Sequence, residues 1–242
     1  MTTSHDHPHD EPVWQAGLRG ARANLVPGLA LQVFAVVLVL AYYRWPAAEA
    51  ALRGATEWRA RFGVLFPIGI TMLFGGVVPF LYLRALPATR ATHPWRDFWF
   101  YAGYWAYRGF EIDLLYRVLA HFVGTGRDIG TLAAKVSLDM FVYCLLLAVP
   151  MMVLSFGWRA EGYSWRRLRE RMRGRFLRHE VLPLYITNCA IWIPAVTAVY
   201  ALPLPLQLPL CNIVLCFYTL LVSHMAAHQA KMRAAAGAPG RG

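Results

Sequence analysis

Residues 96–124 read RDFWFYAGYWAYRGFEIDLLYRVLAHFVG, and no other stretch limits the fold so tightly. The run is long and aromatic enough for a membrane helix, which takes roughly 20 predominantly apolar residues. Its second half nevertheless carries Arg108, Glu111, Asp113, Arg117 and His121. Ionisable groups at membrane depth are costly and usually face a bundle interior or a water-filled cavity. A helix of this kind needs neighbours to shield it. The expectation is an all-α, polytopic helical membrane bundle with this helix lining its middle.

Composition supports that class. Hydrophobic residues make up 58% of the 242 and charged residues only 15%, against about 25% charged in an average soluble domain. The formal net charge of +11 raises nucleic acid as a partner. The arginines, however, sit between long apolar runs and form no continuous basic face. The excess of basic residues on the cytoplasmic side of membrane proteins accounts for that arrangement better, and no nucleic-acid partner is predicted.

Six spans are predicted, at about 24–43, 62–83, 97–123, 136–156, 181–202 and 207–228, within one transmembrane domain covering 24–228. Residues 1–23 read as a disordered polar tail and 229–242 as a flexible basic one. Tyr42, Tyr43 and Trp45 close the first span as an interfacial girdle, and Pro46 ends it. Residues 47–61 suit a short amphipathic surface helix with Leu52 and Trp58 against headgroups. The second span holds Pro67 and Pro79, and Gly69, Gly75 and Gly76 suit close helix contact. The linker 84–94 is a turn, and LPLPLQLPL reads as an apolar connection before the last span. With the N-terminus inside, 16 lysines and arginines fall on the inner side and 6 on the outer. The bias places both termini in the cytoplasm.

Within the organising helix, Arg108 and Glu111 are three apart, and Asp113 and Arg117 are four apart. Both spacings bring opposite charges side by side, and His121 extends the second stripe. Two readings stay open: a polar pore or relay, or internal ion pairs that lower the cost of burying charge. Asp139, near the start of the fourth span and suited to the interface, and Asn188, in the fifth, complete the candidate pore-lining or gating residues. The segment 157–180 holds eight arginines. Arg166, Arg167, Arg169, Arg171, Arg173 and Arg175 alternate there with Trp165, Leu168 and Met172 at helical spacing. That pattern suits a basic amphipathic helix on the cytoplasmic surface, drawn to anionic lipid headgroups.

No catalytic motif stands out: there is no HExxH, GxSxG, phosphate-binding loop or calcium loop. Neither an enzymatic activity nor a cofactor is expected. Cys144, Cys189, Cys211 and Cys216 lie in apolar runs without CxxC spacing and read as small buried hydrophobes. His5, His7 and His9 alternate with Asp6 and Asp10 in the polar tail, and His224 and His228 lie four apart near a membrane boundary. Neither set has the fixed further ligands of a metal site, and none is predicted.

A family resemblance rests on residues in a fixed order. Gly109 is followed seven residues on by Tyr116-Arg117-x-Leu119, and Lys135 and Asp139 open the next span. Trp165 and Leu168 come next, then Pro183 and Pro194, eleven apart. This set resembles the family of the twenty-two-kilodalton peroxisomal membrane protein and the mitochondrial inner-membrane proteins of the Mpv and Sym type. The family's Gly-Pro is Gly109-Phe110 here, its Trp-Pro is Leu182-Pro183, and its asparagine falls approximately at Asn188. Its terminal Trp-Asn is unmatched, and residues 1–60 look additional. The resemblance implies a small all-helical integral membrane protein, usually of four spans, acting as a weakly selective channel for small metabolites.

The expected function is a small, weakly selective channel or pore for small solutes or ions, with self-association as a further expectation. A structural or assembly protein with a lipid- or partner-binding arginine-rich loop is the alternative. A membrane-embedded enzyme using Glu111, Asp113 and His121 is the third. High alanine and arginine usage suggests a bacterial chain, and so the bacterial cytoplasmic membrane.

Overall fold

The computed structural model describes residues 12–173 and 176–236, and among them every regular element is helical. The helices are α1 (Val13–Ala23), α2 (Leu25–Arg44), α3 (Pro46–Phe62), α4 (Leu65–Ala85), α5 (Phe98–Phe122), α6 (Ile129–Ala160), α7 (Trp165–Met172), α8 (Phe176–Tyr200) and α9 (Leu204–Ala236). Four of them, α2, α4, α6 and α8, are long and apolar enough to cross a membrane. Among the described residues α5 has the length but carries too many charges, and the apolar stretch Leu206–Leu221 of α9 is shorter. Length and composition alone therefore support four spans, not about six. Val26, Leu29, Val33, Val37 and Leu40 of α2 point outward, all about half exposed or more. An apolar face of that extent belongs against lipid, and the chain is a membrane protein.

Local chemistry sets the helix ends. Pro46 occupies the first turn of α3, where its missing N–H is no loss. Gly63, at φ +54°, ends that helix in a conformation side chains avoid. Asp128 caps α6 by accepting from the Thr131 N–H at 3.0 Å and the Thr131 hydroxyl at 2.6 Å. The hydroxyl bond is the main reason its carboxyl lies below the ordinary value of 3.8. A depressed folded value adds stability above the unfolded value and loses it as pH falls through the folded one. Asp128→Asn is therefore expected to flatten the acid limb of the thermal midpoint against pH, starting near 3.8. Parallel profiles for variant and wild type would show that the cap does not contribute.

Three helices widen to π geometry, at Met72–Val77 in α4, Leu138–Ala148 in α6 and Phe176–Val181 in α8. Each widened stretch ends two residues before a proline: Pro79, Pro150 and Pro183. Proline lacks the N–H for its own hydrogen bond and its ring crowds the carbonyl four residues back. The preceding ladder relaxes to longer rings, so α4 continues through its prolines as one helix. Pro194 and Pro209 lie inside helices without such widening, so proline alone does not dictate it.

Two compact units emerge, and α6 and α8 each contribute to both. The first holds the described residues up to Leu25 and Met140–Ile193. Here Val149, Val153, Leu168, Met172 and Val181 form a buried cluster, with Trp158 and Phe176 packed on it. Residues 13–23, expected in a disordered tail, instead form α1. A Cβ on Gly17 would stand 2.6 Å from Ile186, so α1 lies very close to α8. The Thr187 hydroxyl donates to the Gly17 carbonyl at 3.1 Å. The residues before Pro12, with the His and Asp tract, lie outside the described residues.

The second unit holds Val26–Asp139 and the chain from Pro194 onward. Its centre is α5, packed along α4, while α9 runs against α3 and α4. A Cβ on Gly75 would meet the Trp105 ring at 2.6 Å, and one on Gly76 the Tyr101 carbonyl at 2.9 Å. Gly69, expected to share this role, has nothing within 4 Å. The LPLPLQLPL stretch is mostly the first turns of α9 and not a connection, with buried Gln207 donating to the Leu202 carbonyl at 2.9 Å. Residues 229–236, expected in a flexible tail, continue α9.

Candidate functional site

The polar residues of the second unit collect around the middle of α5. Gly109 makes this possible: a Cβ there would lie 2.2 Å from the Pro67 carbonyl oxygen and 2.8 Å from the Thr71 Cβ. With α4 so close, Arg108 (8% exposed) and Glu111 (7%) are buried in protein. The Arg108 Nη1 donates to Glu111 Oε2 at 2.6 Å, as the spacing of three predicts. Glu111 Oε1 is buried and has no hydrogen-bond partner among the described residues.

Asp113, two residues beyond Glu111, is 2% exposed. Its Oδ2 accepts from Arg117 Nε at 2.8 Å, the predicted pair, and its Oδ1 accepts from Arg59 Nη2 of α3. One carboxylate thus sits between two guanidiniums, one largely buried and the other half exposed. The second nitrogen of Arg59, Nη1, is buried without a partner among the described residues.

Asp139 is buried, not interfacial, and its Oδ2 accepts from the Tyr200 hydroxyl at 2.7 Å. The Tyr200 ring meets Tyr116 edge-on at 5.4 Å, and Tyr116 shares a side-chain hydrogen bond with Cys211. Asn212, next along α9, donates to the Leu208 carbonyl at 3.0 Å, while its Oδ1 is unpartnered among the described residues. Thr71 Oγ1, wholly buried, is in the same state. Arg108, Glu111, Asp113, Arg117 and Asp139 therefore belong to the polar set of the second unit, in three clusters: Arg108–Glu111, Arg59–Asp113–Arg117 and Asp139–Tyr200.

Two other expected members do not join it. His121 does not extend the stripe; it is exposed near the end of α5, its ring edge-on to Phe122 at 4.9 Å. Asn188 belongs to the first unit, half-buried, with its Nδ2 unpartnered among the described residues. Arg59, Thr71, Tyr116, Tyr200 and Asn212 are the members sequence reasoning missed. For Asn212 a signal existed, a polar residue within an apolar run. Arg59 carried none, because its helix reads as a surface element.

The arginine-rich segment forms α7, with Arg166, Arg167, Arg169, Arg171 and Arg173 exposed; Arg175 lies outside the described residues. Ser164 caps it by accepting from the Arg167 N–H at 3.4 Å. Leu168 and Met172, expected to face lipid, are buried against Val149, Val153 and Val181. Trp165 is exposed and stacks on Trp158 at 5.1 Å. None of the four cysteines forms a disulfide among the described residues. Among the described residues no three His, Cys, Asp or Glu side chains are grouped to hold a metal.

Comparison with protein-family models, with curated proteins and with solved structures finds no match.

Proposed function

We propose that this chain is a small, weakly selective channel for small solutes or ions, working without a cofactor or an enzymatic step. In this reading it crosses a bacterial cytoplasmic membrane about six times with both termini inside, α5 and α9 adding to the four apolar spans. The resemblance to the Mpv and Sym type family supports it. The observation that carries it is the pair of buried groups, Glu111 Oε1 and Arg59 Nη1, left without partners among the described residues. Buried polar groups nearly always find a partner. An acceptor and a donor left over in the buried interior of one unit suit a hydrated path or a passing solute. Charged side chains beside such a path set which sign of ion it favours.

The test is flux from liposomes holding the purified protein, with potassium and chloride compared. Wild type is expected to pass both. Glu111→Gln, which removes the carboxylate charge while keeping its shape, is expected to shift the ratio toward chloride several-fold. Folded protein that gives no flux above empty liposomes would sink the channel reading.

The structural alternative has its own support. Asp113 is neutralised on both sides by Arg59 and Arg117, as suits a lock between α3 and α5. An enzyme using Glu111, Asp113 and His121 has less. Ten residues separate Glu111 from His121, about 15 Å of helix rise, and His121 is exposed.

A further inference from the structure

The first unit holds a feature that solute passage does not use. A partly open cavity of about 600 Å³ lies beside α7. Its walls are Leu154, Leu168, Met172 and Phe176, and Arg169 and Arg173 stand among its lining residues. Roughly 300–1,000 Å³ is the size of pockets that hold small ligands.

The arginines of α7 are not equivalent. Arg171 is committed to Glu161 and Glu180, both at 3.4 Å, and Arg166 lies 3.9 Å from Glu170. Arg169 and Arg173 have no ion pair or side-chain hydrogen bond among the described residues. Arg167 is in the same state but lies outside the cavity, so Arg169 and Arg173 are the arginines that bring unneutralised charge to its lining. Glu170 is also at the cavity, with Arg166 as its counter-charge. The cavity thus pairs an apolar interior with two guanidiniums that want an anion. Bidentate phosphate recognition is what arginine does best.

The surroundings indicate where the occupant comes from. Leu177, beside Phe176, is 64% exposed, and Trp165 at the lining is 61% exposed. Leu146 and Leu147 of α6 also face outward. A partly open apolar cavity on a unit whose helices also expose leucines is accessible to an acyl chain from the bilayer.

We propose that this cavity is a specific site for one anionic phospholipid, with an acyl chain against Leu154, Leu168, Met172 and Phe176 and the headgroup phosphate between Arg169 and Arg173. This goes beyond the general attraction of a basic helix to an anionic surface and is independent of the channel reading.

The experiment titrates the full-length protein in neutral detergent with phosphatidylglycerol and reads bound lipid by native mass spectrometry. Phosphatidylcholine of the same chain length is expected to bind at least tenfold more weakly. Arg169→Gln with Arg173→Gln should weaken phosphatidylglycerol binding about thirtyfold, the effect of two basic residues near anionic lipid. Arg167→Gln with Arg178→Gln, which removes the same charge from exposed positions outside the cavity lining and leaves the Arg166–Glu170 pair intact, should change it less than threefold. Met172→Trp, filling the cavity, should also lose the lipid. Circular dichroism and the thermal midpoint show whether each variant is folded, and the charge variants stand alone should Met172→Trp fail to fold. Equal losses in the two double variants would overturn the site in favour of diffuse charge. Equal binding of phosphatidylcholine, or displacement by glycerol phosphate as effective as by the whole lipid, would overturn it as well.

Discussion

Asp113→Asn is expected to lose about 3–5 kcal/mol of stability, the usual result of removing one partner from a buried ion pair. The carboxylate is 2% exposed and serves two guanidiniums. Its loss leaves Arg59, whose side chain is 14% exposed, as a largely buried cation without the carboxylate that pairs with it. Arg117 behaves differently. Its side chain is 54% exposed, so it turns to water, and Arg117→Gln should change stability by less than about 1 kcal/mol. Arg59→Gln with Asp113→Asn removes both buried charges together and should recover most of the loss, because well-packed neutral residues replace buried pairs at little cost. Thermal midpoints in mild detergent, and folded yields read by size-exclusion chromatography, compare the three variants with wild type. A single Asp113→Asn variant as stable as wild type would mean that the Arg59 pair does not hold α3 to α5. Flux in the rescued double variant then divides the two functional readings. Unchanged potassium-to-chloride selectivity makes Asp113 a lock, while altered selectivity puts it on the path.

Sequence reading and structure agree most where the information is local. The charged helix was placed at 97–123 and spans Phe98–Phe122, because Pro94 and Gly124 bracket it and its aromatic run is unbroken. Its two ion pairs follow from spacings of three and four residues within one helix. What crosses between helices was hidden. Tyr200 and Asp139 are 61 residues apart, and Arg59 and Asp113 are 54 apart, with no local pattern to announce either pairing. Residues 13–23 look like polar tail because their packing depends on Gly17, a residue whose contribution is the absence of a side chain. The arginine-rich helix was legible as amphipathic, but its apolar stripe has two candidate partners, lipid and protein. Only the position of Val149, Val153 and Val181 decides for protein at Leu168 and Met172.

Gly109→Ala should also be strongly destabilising, through sterics rather than charge. The added methyl would stand 2.2 Å from the Pro67 carbonyl oxygen, where carbon and oxygen normally approach no closer than about 3.3 Å. The obstacle is backbone inside a helix, so no rotamer change relieves it. The helices α4 and α5 must part by roughly an ångström. Overpacking of this kind costs about 1–3 kcal/mol, and sometimes more. Parting also removes the shield over Arg108 and Glu111, the buried pair one residue before and two residues after the glycine. Gly109→Leu is expected to give no folded protein. Gly103→Ala on the same helix is the control, since nothing lies within 4 Å of its added methyl. There the helix gains up to about 1 kcal/mol from replacing glycine. Opposite shifts in thermal midpoint for the two alanine variants are the expected result. A Gly109→Ala variant that melts with wild type would mean that α4 and α5 are not this close. The burial of the charged turn, on which the candidate site rests, would then have to come from another helix.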